Sequence, residues 1–399
     1  MNAIAPMNIL FLTAHLPVLG IHGGGMRMYH NIRILSQKHR VNVLSFIESE
    51  REEEQISSLE KLGVSVKTVL RRPLPPRNMF LSHPREHFEY RSKAMSALVR
   101  AALEKQQFDV IQAEFLQMGQ HVPTNRPAFR ILTEHEIQFA NVYETLKRPA
   151  SLPRKLKIFY DWMTQFNYEI RTCRRFHRVV CMTQEDLKTL RKFVEDRKLR
   201  VIPIGVDCEY FRPQEVVEPA PGPPRVLFVG NYRHTPNQEA VYHFAEDILP
   251  RLHAMLPDTV FDVVGGNIHL LDFQRLAQSR RVNLIGQVND VRPYYQRADV
   301  FVAPLHSGNG MRVKVLEACA MGKAIVASTL AVQGFETLRS ESFRASDSAE
   351  EFASAVARLL QNADCRQELG TRARQMVKDR YDWSVIGRKF LELVEDRDV

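Results

Sequence analysis

The sequence predicts an α/β protein with two doubly wound domains, each a largely parallel sheet with helices on both faces. Three observations lead to this prediction. Apolar runs of strand length alternate with longer helical stretches along the chain. The alternation stops in a proline-rich segment and then begins again. Finally, the 399 residues exceed the roughly 250–300 at which a single hydrophobic core stops growing.

The first half of the chain begins the pattern. Its predicted strands are short and almost wholly apolar, as expected for strands that are buried on both faces. They lie at residues 9–13, 41–46, 64–70, 110–113, 130–133 and 179–182. A helical stretch at residues 25–38 follows the first strand. This βαβ order predicts parallel pairing.

A segment at residues 217–224 contains four prolines and one glycine, so it can hold neither a helix nor a central strand, and it is the best linker candidate. Beyond it, strands are predicted at residues 226–230, 260–264, 282–285, 300–303 and 324–327. Helices are predicted at 237–256 and, finally, at 383–395. Open α/β sheets bind ligands at the carboxyl ends of their strands, so two such domains that face each other would enclose a cleft.

Composition excludes several classes of protein. With 44% hydrophobic and 25% charged residues, the chain is globular and not disordered. Its five cysteines lack CxxC spacing, which argues against a disulfide framework or a zinc cluster and favours a reducing compartment. The start of the chain lacks the features of an export signal, and no apolar stretch reaches the roughly 20 residues that span a bilayer. We therefore expect a cytoplasmic protein.

The charge is distributed unevenly. Residues 1–200 carry 32 Lys and Arg against 20 Asp and Glu, whereas residues 201–399 carry 23 against 26. The basic half points to an anionic partner, such as a lipid surface, an acidic polymer or nucleic acid. No nucleic-acid-binding module is recognisable, so we expect no nucleic-acid partner.

Two segments of the first half are candidates for chemistry. Gly23, Gly24 and Gly25 precede the first helix, where they either let the backbone approach an anion or form only a flexible turn. His135 follows the strand at 130–133 and is flanked by carboxylates that could orient its ring. The alternative for His135 is a structural histidine.

In the second half, the loop after the strand at 226–230 contains Arg233 and His234, which favours an anion site. Asn237 on the same segment precedes an apolar-periodic stretch, so it is alternatively a helix N-cap. A second loop, rich in glycine, follows the strand at 300–303 and leads into a helix that carries Arg312 and Lys314 in its first turn. Basic residues there oppose the helix dipole unless an anion binds beside them, so this segment predicts a phosphate site.

Residues 308–322, together with 205–213, 226–230, 286–290 and 298–300, resemble the retaining glycosyltransferases of GT-B fold, family 4. The resemblance implies two Rossmann-like domains facing a cleft. The first comprises residues 1–205 with a final helix, 385–399, crossing back to it, and the second comprises 206–384. It also implies a nucleotide diphosphate sugar as donor, a glycan or lipid-linked glycan as acceptor, no cofactor and no required metal. The expected role is in bacterial envelope or exopolysaccharide synthesis.

The resemblance also assigns roles to single residues. Glu317 matches the second glutamate of a paired motif, which holds the ribose, and Asn309 stands in the place of the first. His135 matches the histidine beside the reacting sugar. Arg233 lies where a phosphate clamp begins, and we infer that Arg312 and Lys314 supply its missing charge. The residues expected to bind the donor are Gly24, Gly25, Asn309, Gly310, Met311 and Glu317, and those expected to act in catalysis are His135, Arg233, Arg312 and Lys314.

Three further points concern the metal requirement, membrane contact and rival functions. The only DxD sequence lies at 396–398, a poor position for a metal that must meet a diphosphate, so we expect metal independence. The segment 154–178 alternates bases with aromatic residues, which fits either a helix on anionic lipid at the inner face of the membrane or core packing with a solvated basic face. The rival functions are a catalytically silent sugar-nucleotide or glycan-binding protein and a same-fold epimerase or phosphorylase.

Overall fold

The computed structural model describes residues 5–19, 23–72, 83–147, 149–214, 222–308, 310–335 and 344–397. The chain divides into two compact units, one made of Met1–Pro203 and Gly387–Val399 and the other of Ile204–Ile386. Each boundary differs by two residues from the expected domains at 1–205 with 385–399 and at 206–384.

The proline-rich segment at 217–224 is not where the chain passes between the units. Residues before it already belong to the second unit, where Val206 forms a parallel bridge with Asp382. The carbonyl of Phe211 also accepts a hydrogen bond from the Arg374 guanidinium at 3.0 Å. Residues 217–221 lie outside the described residues. The linker prediction was therefore wrong, because prolines exclude regular structure without marking which unit a loop belongs to.

Within the described residues, the first unit holds a seven-stranded sheet in which all neighbours are parallel, in the order β3-β2-β1-β4-β5-β6-β7. The strands are β1 (Asn8–Thr13), β2 (Arg40–Ile47), β3 (Ser65–Leu70), β4 (Val110–Glu114), β5 (Phe129–Thr133), β6 (Arg178–Cys181) and β7 (Leu199–Val201). The helices are α1 (Gly23–Ser36), α2 (Ser57–Glu60), α3 (Arg85–Glu89), α4 (Lys93–Lys105), α5 (Gln138–Lys147), α6 (Leu152–Arg174) and α7 (Gln184–Leu190). The sequence analysis missed β7, which has only three residues.

The second unit repeats the design with a six-stranded parallel sheet among its described residues, in the order β10-β9-β8-β11-β12-β13. The strands are β8 (Arg225–Val229), β9 (Val260–Val264), β10 (Val282–Gly286), β11 (Val300–Ala303), β12 (Ala324–Ala327) and β13 (Arg344–Ala345). The helices are α8 (Thr235–His243), α9 (Leu249–Met255), α10 (Phe273–Leu276), α11 (Arg292–Arg297), α12 (Val313–Ala320), α13 (Ala349–Gln361), α14 (Ala363–Arg380) and α15 (Trp383–Glu395). The predicted α/β class with two doubly wound domains is confirmed.

The helix predicted at 237–256 is interrupted. A π-helical turn, Phe244–Ile248, separates α8 from α9. Pro250 lies at the start of α9, and because proline has no backbone N–H, it cannot continue the hydrogen-bond ladder from the preceding turn. The wider π turn accommodates this loss, which a purely hydrophobic periodicity does not reveal.

In both sheets the strand order reverses once, between β1 and β4 in the first unit and between β8 and β11 in the second. Ligands of open α/β sheets bind outside the carboxyl ends of the strands at such a switch point. The glycine run and His135 follow β1 and β5 in the first unit. The Arg233 and Arg312 loops follow β8 and β11 in the second. The glycine run and these two loops therefore lie at the switch points, and His135 lies one strand away from the first of them.

Helix α15 begins in the second unit and ends in the first, as the family resemblance implies. Within the first unit it packs on α1, where the Cα of Gly387 lies so close to Ile34 that an added Cβ would be 1.6 Å from its Cδ1. The Glu395 carboxylate at its end lies 3.3 Å from His39 Nε2 and 3.6 Å from Lys38 Nζ. Among the described helices, none combines the length and the apolar character needed to cross a bilayer.

Candidate functional site

The second unit's switch point is built by close backbone contact between two loops. Gly230 N–H donates to the carbonyl of Val264 at 3.0 Å. Gly265 adopts φ +137°, and a Cβ on it would lie only 1.8 Å from the carbonyl oxygen of Gly230. Any larger residue would push the loops after β8 and β9 apart, so glycine is required here for approach as well as for conformation.

Lys314 is the chemical centre of this region. Its ammonium nitrogen donates to Asn237 Oδ1 at 2.6 Å and lies 4.2 Å from the centre of the Phe228 ring. It also lies close enough to Gly230 that a Cβ there would be 3.2 Å away. Loss of hydration, and secondarily the positive charge of Arg312, lowers the pKa of Lys314 to about 7.

Asn237 is not a helix N-cap, so that interpretation was wrong. Helix α8 begins at Thr235 with His234 at the N-cap, and no side chain caps it. The Asn237 side chain instead donates from Nδ2 to the carbonyl of Asn231 at 2.7 Å while its oxygen accepts from Lys314. Asn231 Oδ1 in turn accepts from Asn267 Nδ2 at 2.9 Å. Asn237, Asn231 and Asn267 therefore form a hydrogen-bonded chain that fixes Lys314. This chain links α8 to the loops after β8 and β9.

Arg312 holds the glycine-rich loop in shape. Its Nη1 donates to the carbonyl of Gly310 and its Nη2 to that of Gly308, both at 2.7 Å. Gly308 and Gly310 have φ of +92° and +79°, which few other residues adopt. Arg312 occupies the N-cap position of α12 and Lys314 is the second helical residue, so the expectation that both lie within the first turn was wrong by one position.

The rest of this loop leads from the glycines to the start of α12. Met311 is half-buried beside Arg312. Asn309 lies outside the described residues. Among the described residues, no side chain caps the N-terminus of α12. Backbone N–H groups at a helix start point toward the preceding loop, where an anion would complement both them and the helix dipole.

Glu317 lies one helical turn after Lys314. Its Oε2 accepts a hydrogen bond from the Tyr295 hydroxyl at 3.1 Å, and burial raises the pKa of the carboxyl group. Tyr295 is fully buried, and burial raises the pKa of its hydroxyl well above the usual range. Tyr295 thereby fixes one carboxylate oxygen of Glu317 and leaves the other for a ligand.

Arg233 differs from Arg312 and Lys314 in its exposure to solvent. It is exposed, and its backbone N–H donates to Asn231 Oδ1 at 3.0 Å. Its guanidinium makes no hydrogen bond or ion pair with the described residues. The side chain is therefore available to an anion in solution, unlike Arg312, whose guanidinium already binds the loop.

In the first unit, His135 is paired with a carboxylate that the sequence analysis did not select. His135 Nε2 lies 2.8 Å from Glu114 Oε2, and the Glu114 side chain is fully buried at the end of β4. Phe115 stacks on the imidazole with ring centres 3.7 Å apart and an interplanar angle of 9°. Phe115 has φ +73°, a strained conformation for a residue with a side chain, and such strain is common at functional sites.

A buried cation supports this pair. Arg27 on α1 is inaccessible to solvent and donates from Nη1 to the carbonyl of Pro203 at 2.7 Å. Burial lowers the pKa of its guanidinium to about 10, while the negative charge of Glu114 opposes that shift. Gln112 Nε2 also donates to Glu114 Oε1 at 3.1 Å. Glu114 is therefore held by a positive charge and a hydrogen bond while it binds His135.

The carboxylates adjacent to His135 in the sequence serve other purposes. Glu134 is buried and accepts from Cys173 Sγ at 3.5 Å, and burial with the nearby charge of Glu169 raises its pKa. Glu136 accepts from Gln138 Nε2 and Asn141 Nδ2 at 3.0 and 2.8 Å. The expectation that flanking carboxylates orient His135 was wrong. The group that orients His135 is Glu114, at the end of the neighbouring strand β4. Parallel neighbouring strands end at the same edge of a sheet, and this rule could have identified Glu114 from the sequence.

The glycine run is part of a helix. Gly23, Gly24 and Gly25 form the first turn of α1, so the helix begins two residues earlier than predicted, and the flexible-turn alternative was wrong. Helix N-terminal N–H groups at this position lie beyond the end of β1, at the switch point.

Comparison with known proteins gives consistent results for both units. The family described as Glycosyltransferase Family 4 matches residues 21–210, and the family described as Glycosyl transferases group 1 matches residues 223–362. The phosphatidyl-myo-inositol mannosyltransferase of Mycolicibacterium smegmatis is 31% identical over 202 residues, which are 49% of this chain and 51% of that protein. The UDP-Gal:alpha-D-GlcNAc-diphosphoundecaprenol alpha-1,3-galactosyltransferase of Escherichia coli is 30% identical over 202 residues, 47% and 49% of the two chains. The chain spans about half the length of these curated relatives.

Solved structures match over nearly the whole chain. Sucrose-phosphate synthase from Thermosynechococcus elongatus superposes with a TM-score of 0.73 at 18% identity, covering 97% of this chain and 98% of that one. Anabaena HepE in complex with UDP and glucose superposes with a TM-score of 0.70 at 14% identity, covering 98% and 100%. At these identities the likeness concerns the fold.

Proposed function

Because this chain belongs to the family 4 glycosyltransferases of GT-B fold, we propose that it transfers a sugar from a nucleotide diphosphate to a glycan or lipid-linked glycan acceptor, with retention of configuration. The observation that carries the proposal is Lys314, a desolvated ammonium fixed by Asn237 beside the N-terminus of α12. Burying a cation without an anionic partner is unfavourable, so a site of this kind gains stability when a diphosphate binds.

The donor's diphosphate is proposed to bind Lys314, the N–H groups at the start of α12 and the exposed guanidinium of Arg233. Cleavage of the sugar–phosphate bond places negative charge on the leaving oxygen. Cations and helix N–H groups that are already in place stabilise this charge without reorganisation. Arg312 keeps the loop of Gly308 and Gly310 in a shape that brings those N–H groups to the phosphate, and its positive charge adds to the field at the site.

Glu317 is proposed to hold the ribose of the nucleotide, because one of its oxygens is fixed by Tyr295 and the other can accept from a hydroxyl. Asn309, Gly310 and Met311 are proposed to line the donor sugar. An amide at position 309 both donates and accepts hydrogen bonds, so it can bind sugar hydroxyls without the charge of a glutamate.

The first unit is proposed to contribute His135 to the reacting sugar and the first turn of α1, with Gly24 and Gly25, to phosphate or acceptor binding. The Glu114 carboxylate on His135 Nε2 fixes the ring, so that its other nitrogen can form a hydrogen bond with a sugar hydroxyl. An oxocarbenium-like transition state would be stabilised by this arrangement.

We further propose that the reaction needs no metal, since Lys314, Arg233 and Arg312 supply the positive charge that a divalent ion would otherwise bring. A lipid-linked acceptor is supported by two relatives, named for phosphatidylinositol and for a diphosphoundecaprenol-linked sugar. With the basic excess of residues 1–200, this suggests a cytoplasmic protein at the inner face of the membrane in envelope or exopolysaccharide synthesis.

The test is incubation with a panel of nucleotide sugars, with and without chelator, against glycan and lipid-linked acceptors. We expect slow donor hydrolysis with one donor class, transfer to a matching acceptor in the presence of chelator, and a product with the anomeric configuration of the donor by NMR. Binding of a nucleotide sugar without hydrolysis or transfer would instead favour the silent binding protein. Conversion of the donor to an epimer would favour the epimerase. Cleavage of a glycan by inorganic phosphate would favour the phosphorylase.

A further inference from the structure

Helix α6 carries an apolar stripe that is buried in its second half and exposed in its first. The stripe comprises Leu152, Leu156, Phe159, Met163, Phe166 and Ile170. These positions follow the three- and four-residue spacing that places side chains on one face of a helix. Ile170 is 5% exposed and lies in the core of the first unit. The first four members extend beyond the core into solvent.

The exposure of those four side chains is large. Leu152 is 71% exposed, Leu156 62%, Phe159 48% and Met163 41%. They extend along roughly 16 Å of helix at 1.5 Å per residue. Tyr143 in the middle of α5, 45% exposed, lies beside the same region, with its ring centre 5.9 Å from that of Trp162. Single exposed apolar side chains are ordinary, but a contiguous row on one face marks an interaction surface.

The charges around this row determine its partner. The described residues of 143–163 include four basic ones, Lys147, Arg154, Lys155 and Lys157, and two acidic ones, which pair with Lys147 and Lys157. Arg154 and Lys155 are exposed and make no ion pair with the described residues. A second copy of the chain joined through the same stripe would bring these bases against each other, whereas anionic lipid headgroups would neutralise them.

We propose that the first half of α6, residues 152–163, docks in the interface of an anionic bilayer. Its apolar row enters the boundary between headgroups and acyl chains, and the bases beside it contact lipid phosphates. The core-packing alternative therefore applies to the second half of the helix alone. This docking would bring the first unit to the lipid-linked acceptor of the proposed function, but it is a property of the surface and needs neither donor nor transfer.

The protein contains its own reporter for this contact. Of its two tryptophans, Trp383 is 2% exposed, and Trp162 lies on α6 with its ring centre 5.8 Å from that of Phe159. When the full chain is mixed with vesicles of phosphatidylglycerol and phosphatidylcholine at low salt, Trp162 emission should shift to the blue. Vesicles of phosphatidylcholine alone should have a much smaller effect, and Trp162→Phe should abolish the shift.

Vesicle sedimentation then tests the stripe itself. Leu156→Ser with Phe159→Ser should lower partition onto anionic vesicles at least about tenfold, given the apolar area withdrawn from the bilayer. The matched control, Leu270→Ser with Phe273→Ser, removes the same residue types at 44% and 48% exposure in the second unit and should leave partition unchanged. Arg154→Gln with Lys155→Gln, which leaves the apolar row intact, should also weaken binding and reduce its dependence on salt.

Three results would overturn the proposal. One is a full chain that ignores anionic vesicles at low salt. Another is equal partition of the stripe variant and its control, which would place membrane contact elsewhere. The third is self-association that depends on Leu156 and Phe159, which would identify a second copy as the partner. Because vesicle binding is measured without nucleotide sugar, a failure here is distinct from a failure of the transferase assignment.

Discussion

The lowered pKa of Lys314 predicts how donor binding depends on pH. In the free protein this pKa is about 7, so about half of the lysines are neutral at pH 7. An anionic diphosphate favours the protonated form, and binding should raise the pKa back toward its ordinary value. Affinity should therefore be highest below pH 7 and fall as pH rises above it.

The size of the effect follows from the protonated fraction. Between pH 7 and pH 8.5 that fraction falls from about one half to about 3%, so affinity should fall roughly 15-fold, or about 1.6 kcal/mol, if only the charged lysine binds phosphate. At pH 8 the protein should also take up close to one proton for each donor bound.

Isothermal titration with UDP-glucose and GDP-mannose is a suitable assay, because their diphosphates carry no proton that titrates in this range. Repeating the pH 8 titration in buffers of different ionisation enthalpy measures proton uptake. The control is Lys314→Met, which should bind more weakly at pH 7 and lose both the pH dependence and the proton uptake. An unchanged affinity from pH 7 to 8.5 in the parent protein, or the same slope in the variant, would refute the assignment of Lys314 to the diphosphate.

Three further predictions concern the two switch points. Gly265→Ala should destabilise the second unit by more than about 3 kcal/mol in denaturant unfolding, because its Cβ would overlap the carbonyl of Gly230; unfolding at the parent midpoint would contradict this packing. Glu114→Gln should lower kcat at least about tenfold with donor affinity retained, since it leaves His135 without its carboxylate; a loss confined to donor affinity would contradict the role given to this pair. Arg312→Lys should weaken donor binding about tenfold despite keeping the charge, because one ammonium cannot bridge both loop carbonyls; parent affinity would mean that charge alone matters.

The fold was largely predictable from sequence because buried parallel strands are apolar on both faces. The run at β1 shows this well, since its residues from Ile9 to Leu12 are all inaccessible to solvent. Short edge strands such as β7 and β13 escape the same reasoning, because two or three residues carry no pattern. The π turn before Pro250 likewise cannot be detected from the spacing of hydrophobic residues.

The candidate site was predictable in its segments and less so in its contacts. Lys314 and His135 could be selected from the sequence because each follows the end of a predicted strand. Their partners, Asn237 and Glu114, are determined by which strands are neighbours in the sheet, and sequence order does not reveal this. Asn237 also shows a limit of local rules, because an asparagine near a helix start can serve a lysine that is far away in sequence instead of capping the helix.

The passage of α15 from one unit to the other affects how this protein can be recombined with its relatives. The first unit takes its last helical turns from the end of the chain, and Phe390 and Val394 of that helix are inaccessible to solvent. A chimera that exchanges the second unit for that of another family member must therefore keep residues 387–399 from the parent of residues 1–203. A single crossover near residue 204 would instead pair α1 with a foreign helix that must match the tight contact between Ile34 and Gly387.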